Sequence, residues 1–271
     1  STHEDVLRQN FPRQKLIRKD DQHSYLQGFV GGSCSVLAGE QKDIVHTAVQ
    51  NAGYEGDYAY GKKTLSKEPL AMVTRKDEQS WSDAVNWVLR ALIYAEKNNV
   101  TQNNAWTELH DHRFVSVLEA VGNYGEIWAR HEEKNVPRKG MNLLYTEETS
   151  SGIHYSHPFG VIEGFRHEFD PSGTANLVVE RGRLTCGVFD SRDQSIDTDY
   201  CRALAASLFD GDYNLVDFVE LSNDDNLMER LDDGEIDVIA GANLTFHYDM
   251  VPSNETASGV SGLAFSKPYF Y

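Results

Sequence analysis

The last third of the chain alternates strand and helix patterns. Short apolar runs at residues 184–188, 216–219 and 236–239 are typical of buried strands. The helical segments between them are residues 199–209 and 226–231. A βαβαβ series forms a largely parallel sheet with helices on its faces, so the pattern predicts an α/β protein.

The front of the chain has a different order. It enters on a helix pattern at residues 4–9 with no strand pattern before it. It then predicts a strand at residues 15–18, a helix at 24–29 and a strand at 35–37. Two separate open sheets are therefore expected, one from each end of the chain, and the front is expected to start inside a domain.

Two further segments carry the apolar stripe of an amphipathic helix, residues 82–97 and residues 115–131. The second stripe is interrupted at residues 122–125, Gly-Asn-Tyr-Gly. Both stripes are expected to face a core.

Composition limits the class of function. The chain has 271 residues, of which 40% are hydrophobic, so two lobes with real cores are within its reach. No stretch approaches the ~20 apolar residues of a membrane span, and no signal peptide begins the chain, which predicts a mature form without membrane insertion. The net charge of −17 argues against nucleic acid and anionic lipid as partners.

Three motifs at residues 181–188, 199–206 and 233–239 resemble lobe 1 of the bacterial solute-binding proteins that serve general L-amino-acid ABC transporters. They read RGRLTCGV, DYCRALAA and DGEIDVI. The resemblance implies a two-lobed type II periplasmic-binding-protein-like fold, with the ligand held between two α/β lobes. It also implies that the protein is not an enzyme.

Earlier segments resemble lobe 2 and the closing helices of the same family. These are residues 65–70, residues 81–95 with 100–102, and residues 120–127. Because lobe 1 comes first in that family, the order here is inverted, as in a circular permutant or a fragment of a tandem array.

On the order of 30 residues of the second lobe are then absent from the chain, which favours the tandem fragment. The predicted organisation is an incomplete lobe 2 with closing helices at residues 1–135, a C-terminal tail and linker at 136–180, and lobe 1 at 181–271.

The resemblance also implies a set of ligand-binding residues. Glu40 falls where the family has the Asp that binds the ligand ammonium, and Ser1 and Thr2 fall at the end of the turn that contacts its carboxylate. Asn243 and Thr245 match part of an Asn-Thr-Thr-Trp run.

The site departs from the family in two ways. Residues 246–250 lack the Arg that clamps the ligand carboxylate, and burying that charge without a partner is costly. The loop that starts at Phe189 is shorter than the aromatic-bearing loop of the family. Phe189 remains a candidate ligand residue, and Arg192 is a candidate substitute clamp, although an exposed arginine beside Asp190 and Asp193 is the ordinary interpretation. The ligand site is therefore expected to be eroded.

The cysteines follow the same resemblance, in which relatives often pair the positions of Cys186 and Cys201. Cys34 is then left over, and its family partner lies in the absent segment. A partner supplied by a neighbouring chain and a buried free thiol are both open for Cys34.

Three N-glycosylation sequons begin at Asn99, Asn243 and Asn254. With the expected disulfide they favour a secreted or extracellular location, or a periplasmic one in a bacterium. A glycan on Asn243 would conflict with ligand capture.

Other chemistry has little support. The ten histidines include His110, His112 and His247, but none has convincing metal-ligand spacing. No nucleophile elbow or phosphate loop is present, so neither a metal, a cofactor nor a catalytic residue is predicted.

Two functions remain. In the first, a non-catalytic module captures an amino-acid-like solute between its lobes. In the second, the fold is a structural repeat of an extracellular fibre or matrix, completed by a neighbouring copy or peptide that supplies the missing strands.

Overall fold

The computed structural model describes most of the chain in several stretches. These are residues 2–19, 22–39, 46–61, 64–66, 69–108, 112–134, 136, 138–146, 151–153, 173–189, 195–222, 225–243 and 262–271.

The chain divides into two compact units. The first, here called the helical unit, comprises Ser1–Lys67 and Glu132–Pro137, and the second, the sheet unit, comprises Glu68–His131 and Arg138–Tyr271. The sheet unit thus combines parts of all three predicted segments. The predicted domain boundaries at residues 135 and 180 stay a prediction.

The helical unit contains α1 (Thr2–Asn10), α2 (Gln22–Val30) and α3 (His46–Asn51). The helices predicted at residues 4–9 and 24–29 are confirmed as parts of α1 and α2.

The strands predicted at residues 15–18 and 35–37 were wrong, because neither segment is a strand in the structure. Both segments are largely exposed, and Val36 is 78% exposed. A short β-branched pattern becomes a strand only when a neighbouring strand pairs with it, and the described residues of this unit offer none.

The sheet unit has a longer series of elements. In its first part these are β1 (Leu70–Arg75), α4 (Gln79–Lys97), α5 (Ala105–Glu108), α6 (His112–Val121), α7 (Tyr124–His131) and a 3-10 helix at Gly140–Asn142. The second part has α8 (Thr174–Arg181), β2 (Leu184–Val188), α9 (Ile196–Leu208), β3 (Val216–Glu220), α10 (Leu227–Asp232), β4 (Val238–Asn243) and β5 (Leu263–Phe265).

The five strands form a single sheet in the order β3-β2-β4-β1-β5. Strand β2 pairs in parallel with β3 and β4, which confirms the predicted βαβαβ series. Strand β1 comes from the front half of the chain and pairs antiparallel with both β4 and β5. The fold is therefore mixed α/β, and the described residues contain one sheet rather than the two that were predicted.

A β-bulge interrupts the pairing of β1 with β4. Ala71 lies opposite Ala242 and Val73 lies opposite Ile239, so β4 carries one extra residue. Gly241 lies in the bulge with φ +79, which L side chains rarely adopt. The bulge turns the Gly241 amide out of the ladder.

The core lies on both faces of the sheet. One buried cluster joins β1, β4 and β5 to α10 and includes Val73, Ile239, Leu231 and Leu263. Helix α4 covers the predicted segment 82–97, and its Leu92 is fully buried. Its Trp81 donates an indole hydrogen bond of 2.8 Å to the Asp237 carbonyl.

The predicted stripe at residues 115–131 forms two helices, α6 and α7, which meet at the predicted interruption. Asn123 caps α7 because its side chain accepts from the Glu126 amide at 2.9 Å. The Glu126 carboxylate in turn accepts from the Asn123 amide at 2.9 Å. This reciprocal capping box fixes where α7 begins.

Candidate functional site

The carboxyl edge of the parallel strands is where an open α/β sheet offers ligand space. Phe189 follows β2 directly and Asn243 ends β4, and these two strands are neighbours with Val188 opposite Ala240. The structure therefore brings two of the predicted ligand residues to one edge of the sheet.

The two residues differ in how they are held there. Phe189 is partly buried and packs against the core cluster that contains Leu221 and Leu227. Asn243 pairs with Leu70 of β1, and its Oδ1 atom is buried. The Phe189 ring therefore supports the end of the sheet, and its predicted contact with a ligand stays a prediction.

The first turn of α9 lies at the same edge, because the helix starts after the loop that follows β2. Ser195 caps the helix: its side chain accepts from the Thr198 amide at 3.1 Å, and Thr198 Oγ1 accepts from the Ser195 amide at 2.9 Å. Asp197 and Asp199 occupy the first turn. Acidic residues at this position interact favourably with the helix dipole.

Asp199 is a buried carboxylate in contact with two arginines and a histidine. Its Oδ2 atom accepts from Arg130 Nε at 3.0 Å and lies 2.7 Å from His131 Nε2, while Oδ1 accepts from Arg202 at 3.2 Å. Arg130 also donates to the Val121 carbonyl at 2.7 Å. The cluster joins α7 to α9.

The partners of Asp199 decide its protonation. Burial is the largest single influence and opposes ionisation, but the hydrogen bonds from His131 and Arg130 together outweigh it and lower the pKa of Asp199. The carboxylate is thus neutralised by its neighbours, as in a structural ion pair.

A second network joins the bulge to the C-terminal segment. The hydroxyl of Tyr269 donates to Asp197 Oδ1 at 2.6 Å and accepts from the Gly241 amide at 2.6 Å. A Cβ on residue 241 would meet Asp197 Oδ2 at 2.6 Å, so only glycine fits. Tyr124 donates to the Tyr269 carbonyl at 2.6 Å. The bulge thereby frees the Gly241 amide to bind the Tyr269 hydroxyl, which in turn binds Asp197 in the first turn of α9. This chain of hydrogen bonds links β4 to the start of α9.

The other predicted residues have different outcomes. Thr2 begins α1 in the helical unit. Ser1, Glu40, Arg192, Thr245 and Asn254 lie outside the described residues. The sequon residue Asn99 is exposed at the end of α4, and its glycosylation stays a prediction.

The disulfide between Cys186 and Cys201 is present, with Cα atoms 6.2 Å apart. It ties β2 to α9. Cys34 is a free thiol of intermediate exposure, and the predicted partner for it stays a prediction.

Sequence reasoning missed the partners of the α9 carboxylates. Asp199 stood within a family motif, but Arg130 and His131 lie 69 and 68 residues before it, so no local pattern joins them. The sequence did contain one local signal. Ser195 is followed by Asp197 and Asp199, and a capping residue followed by acidic residues is typical of the first turn of a helix.

Within the described ranges, no group of three or more His, Cys, Asp or Glu side chains is arranged to hold a metal ion. Of the helices that the structure describes, none has the length and apolarity needed to cross a membrane.

The chain is similar to several bacterial amino-acid-binding proteins. It is 32% identical over 123 residues to the general L-amino acid-binding periplasmic protein AapJ of Rhizobium johnstonii, covering 35% of each chain. It is 22% identical over 181 residues to the putative amino-acid ABC transporter-binding protein YhdW of Escherichia coli, covering 57% of this chain and 52% of the relative.

A third relative is the glutamate/glutamine/aspartate/asparagine-binding protein BztA of Rhodobacter capsulatus. Identity to it is 26% over 162 residues, covering 49% of this chain and 46% of the relative. The chain therefore spans between about a third and about half of the length of these relatives. No family model matches the chain, and no solved structure matches it.

Proposed function

We propose that this chain is a non-catalytic solute-binding module of the amino-acid ABC transporter type, which captures an amino-acid-like ligand between two lobes. One observation carries the proposal: the chain is similar to three proteins named for amino-acid binding or transport. The geometry supports it, because Phe189, Asn243 and the first turn of α9 meet at the carboxyl edge of the sheet.

In this proposal the carboxyl edge of the sheet is part of the ligand site. Phe189, Asn243 and Thr245 are its proposed ligand residues on this side. Ser1, Thr2 and Glu40 bind from the second lobe, where Glu40 holds the ammonium group. Residues 246–250 lack the arginine clamp, which leaves the site eroded, and Arg192 is a candidate substitute for it.

The absence of catalysis is part of the same proposal. The relatives are named as binding proteins. Asp197 and Asp199 are hydrogen-bonded to Tyr269 and to the Arg130 and His131 pair, an arrangement that holds helices together rather than activating a nucleophile.

We also propose the inverted lobe order, with part of lobe 2 absent from the chain. Its support is that β1, from the front half, lies between β4 and β5 from the back half. The predicted boundaries assign β1 to lobe 2 and its partners β4 and β5 to lobe 1, so the proposal requires β1 to return to the sheet of lobe 1.

A second candidate is the structural repeat of an extracellular assembly. Residues 15–18 and 35–37 have strand-like sequences but are not strands, and a neighbouring copy or peptide offers the pairing they need. Light scattering on the purified protein tests this candidate. A monomer at all concentrations, with no bound peptide by mass spectrometry, would rule out the structural repeat.

We place the protein outside the cytoplasm, in the periplasm or a secretory compartment. The relative from Rhizobium johnstonii is named as periplasmic. The Cys186–Cys201 disulfide agrees with an oxidising compartment.

Calorimetric titration with the twenty common amino acids tests solute binding. We expect micromolar binding of at least one of them, weakened about tenfold or more in Glu40→Ala and Asn243→Ala because each removes a hydrogen-bonding partner of a charged group. Arg183→Ala is the matched control, since Arg183 precedes β2 and pairs with Asp217 at the opposite edge of the sheet. No heat with any amino acid would overturn the proposal.

A further inference from the structure

The helical unit contains an open pocket just after α3. The pocket has a volume of about 540 Å³ and is lined by Tyr54, Tyr58 and Tyr60, with Glu55, Asp57 and Gln50. None of the predicted ligand residues belongs to it. The aromatic residues alternate with small or acidic ones in the sequence YEGDYAY, residues 54–60.

The three tyrosine rings form a connected array. The centroids of Tyr54 and Tyr58 are 6.0 Å apart with the planes at 65°, and those of Tyr58 and Tyr60 are 5.8 Å apart at 81°. Phe29 packs behind this array, with its centroid 4.7 Å from that of Tyr54. Nearly perpendicular neighbouring rings create corners in which more than one aromatic surface is within reach of a small ligand.

Gly56 fixes the shape of the pocket. A Cβ at this position would meet two atoms of the Tyr54 side chain at 2.8 Å, so the absence of a side chain lets the Tyr54 ring fold over the turn. The Tyr54 hydroxyl reaches the Asp57 carbonyl at 3.5 Å. The turn therefore holds one ring of the array in place without a ligand.

The residues that line the pocket are suited to binding a cation. Aromatic faces carry partial negative charge and attract cations within ~6 Å of the ring centroid. Glu55 and Asp57 add two carboxylates, and no lysine or arginine is among the residues that line the pocket. Tyr60 is 53% exposed, so its ring is not committed to a core.

We propose that the tyrosine pocket binds an organic cation with a methylated ammonium group. A quaternary ammonium ion is large and weakly hydrated, so it exchanges water for aromatic faces at low cost, whereas a primary ammonium is strongly hydrated. This chemistry differs from that of a free amino acid, and the pocket is therefore a second site, independent of the proposed solute site.

Choline chloride is the probe, with 3,3-dimethyl-1-butanol as its uncharged counterpart of the same shape. The full chain, with its tyrosine rings labelled with carbon-13, is titrated with each while the ring resonances are followed by NMR. We expect saturable shifts of Tyr54, Tyr58 and Tyr60 with choline, in the millimolar range, and none with the alcohol. Equal binding of the two probes, or no shift with choline, would refute the proposal.

Variants test the named residues. Tyr60→Leu is expected to weaken choline binding about two- to thirtyfold, the range of one cation–π contact, and Tyr60→Phe is expected to retain it. Asp57→Asn should weaken binding several-fold and more so at low salt. Tyr213→Leu, at an exposed tyrosine of the sheet unit, is the matched control and should change nothing.

A loss of binding in Tyr60→Leu together with an intact far-ultraviolet spectrum supports the pocket. Unchanged binding in Tyr60→Leu overturns it. Because none of these changes touches Phe189, Asn243 or Glu40, amino-acid binding in the same variants reports on the proposed solute site separately.

Discussion

The sheet unit and the helical unit bury their apolar residues to very different extents. In the sheet unit, Val73, Leu92 and Leu184 are completely buried. Among the described residues of the helical unit, the buried hydrophobic side chains are Leu26, Val49 and Val136. Several of its large apolar side chains are exposed, including Phe11, Ile17 and Val36.

The difference separates two tasks. A cooperative core holds the carboxyl edge of the sheet in a fixed geometry, while the helical unit presents aromatic and apolar groups to solvent. Local opening is expected where few apolar side chains are buried. The comparison therefore predicts that amides in the described stretches of the helical unit exchange faster than those in β1, β2 and β4.

The largest effect is expected from a core truncation in the sheet unit. Leu92→Ala should lower the free energy of unfolding by about 2–5 kcal/mol, because it removes buried methyl groups and leaves a cavity. Urea denaturation followed by tryptophan fluorescence measures it. Leu26→Ala is the matched change in the helical unit, and we expect a smaller loss from it.

An equal loss of unfolding free energy from Leu26→Ala would contradict the difference in burial between the two units. It would mean that the two units unfold together and that the helical unit contributes to the same cooperative core. Hydrogen exchange on both variants shows which amides lose protection, and therefore which unit each substitution destabilises.

The network around Tyr269 gives the next largest effect. Tyr269→Phe removes the hydroxyl that donates to the buried Asp197 and accepts from the partly buried Gly241 amide. We expect a loss of about 1–3 kcal/mol in unfolding free energy. Tyr213→Phe, at an exposed position, should be neutral, and comparable losses from the two changes would contradict the role given to the bulge.

Two buried aspartates sharpen the comparison within the sheet unit. The pKa of Asp199 is lowered, because His131 and Arg130 together outweigh the effect of burial. The pKa of Asp237 is raised, chiefly by burial, although it accepts from the Thr185 amide at 2.7 Å and pairs with Arg181. The two carboxyls should therefore respond to acid in opposite senses.

Linkage gives the sign for each group. The ionised form of Asp199 stabilises the fold above its unfolded pKa of about 3.9, and that contribution is lost as the pH falls through the lower folded value. For Asp237 the contribution is present below about 3.9 and is lost as the pH rises through the raised folded value.

Urea midpoints measured between about pH 2 and pH 6 test these signs. Asp199→Asn should flatten the fall in stability on acidification, and Asp237→Asn should steepen it. The same slope in both variants would show that the partners of Asp199 do not favour its ionised form.

Local patterns account for much of what could be predicted from the sequence. The runs at residues 184–188 and 216–219 became β2 and β3. A short apolar run that contains β-branched residues and lies between helical segments is typical of a buried strand. The segment 82–97 became α4 because its apolar side chains recur at helical spacing and form one buried face. The disulfide came from the resemblance and not from spacing.

Long-range pairing accounts for what was missed. Residues 70–75 form an inner strand of the sheet because β4 and β5, far along the chain, pair with them. No local pattern in the sequence indicates this pairing. The partners of Asp199 were missed for the same reason, because they are also distant in the sequence. The strands predicted at residues 15–18 and 35–37 failed in the opposite way, since their patterns have no described neighbour to pair with.

The smallest effect compares the same helix ending in both units. Asn99 follows α4 with φ +56, and Gly32 follows α2 with φ +71, each two positions past the last helical residue. Ala at either position must adopt a left-handed conformation, at a cost of about 1 kcal/mol. We expect Asn99→Ala to lower the global unfolding free energy by that amount in protein made in a host that does not glycosylate.

Gly32→Ala carries the same backbone cost but should act differently. If the helical unit opens locally, the cost appears as faster amide exchange around α2, and the urea midpoint of the sheet unit does not move. Asn99→Gly is the control, because glycine tolerates the conformation and should leave the stability within a few tenths of a kcal/mol. A shift of the sheet-unit midpoint in Gly32→Ala would show that the stabilities of the two units are coupled. The two units would then differ only in how much of their apolar surface is exposed.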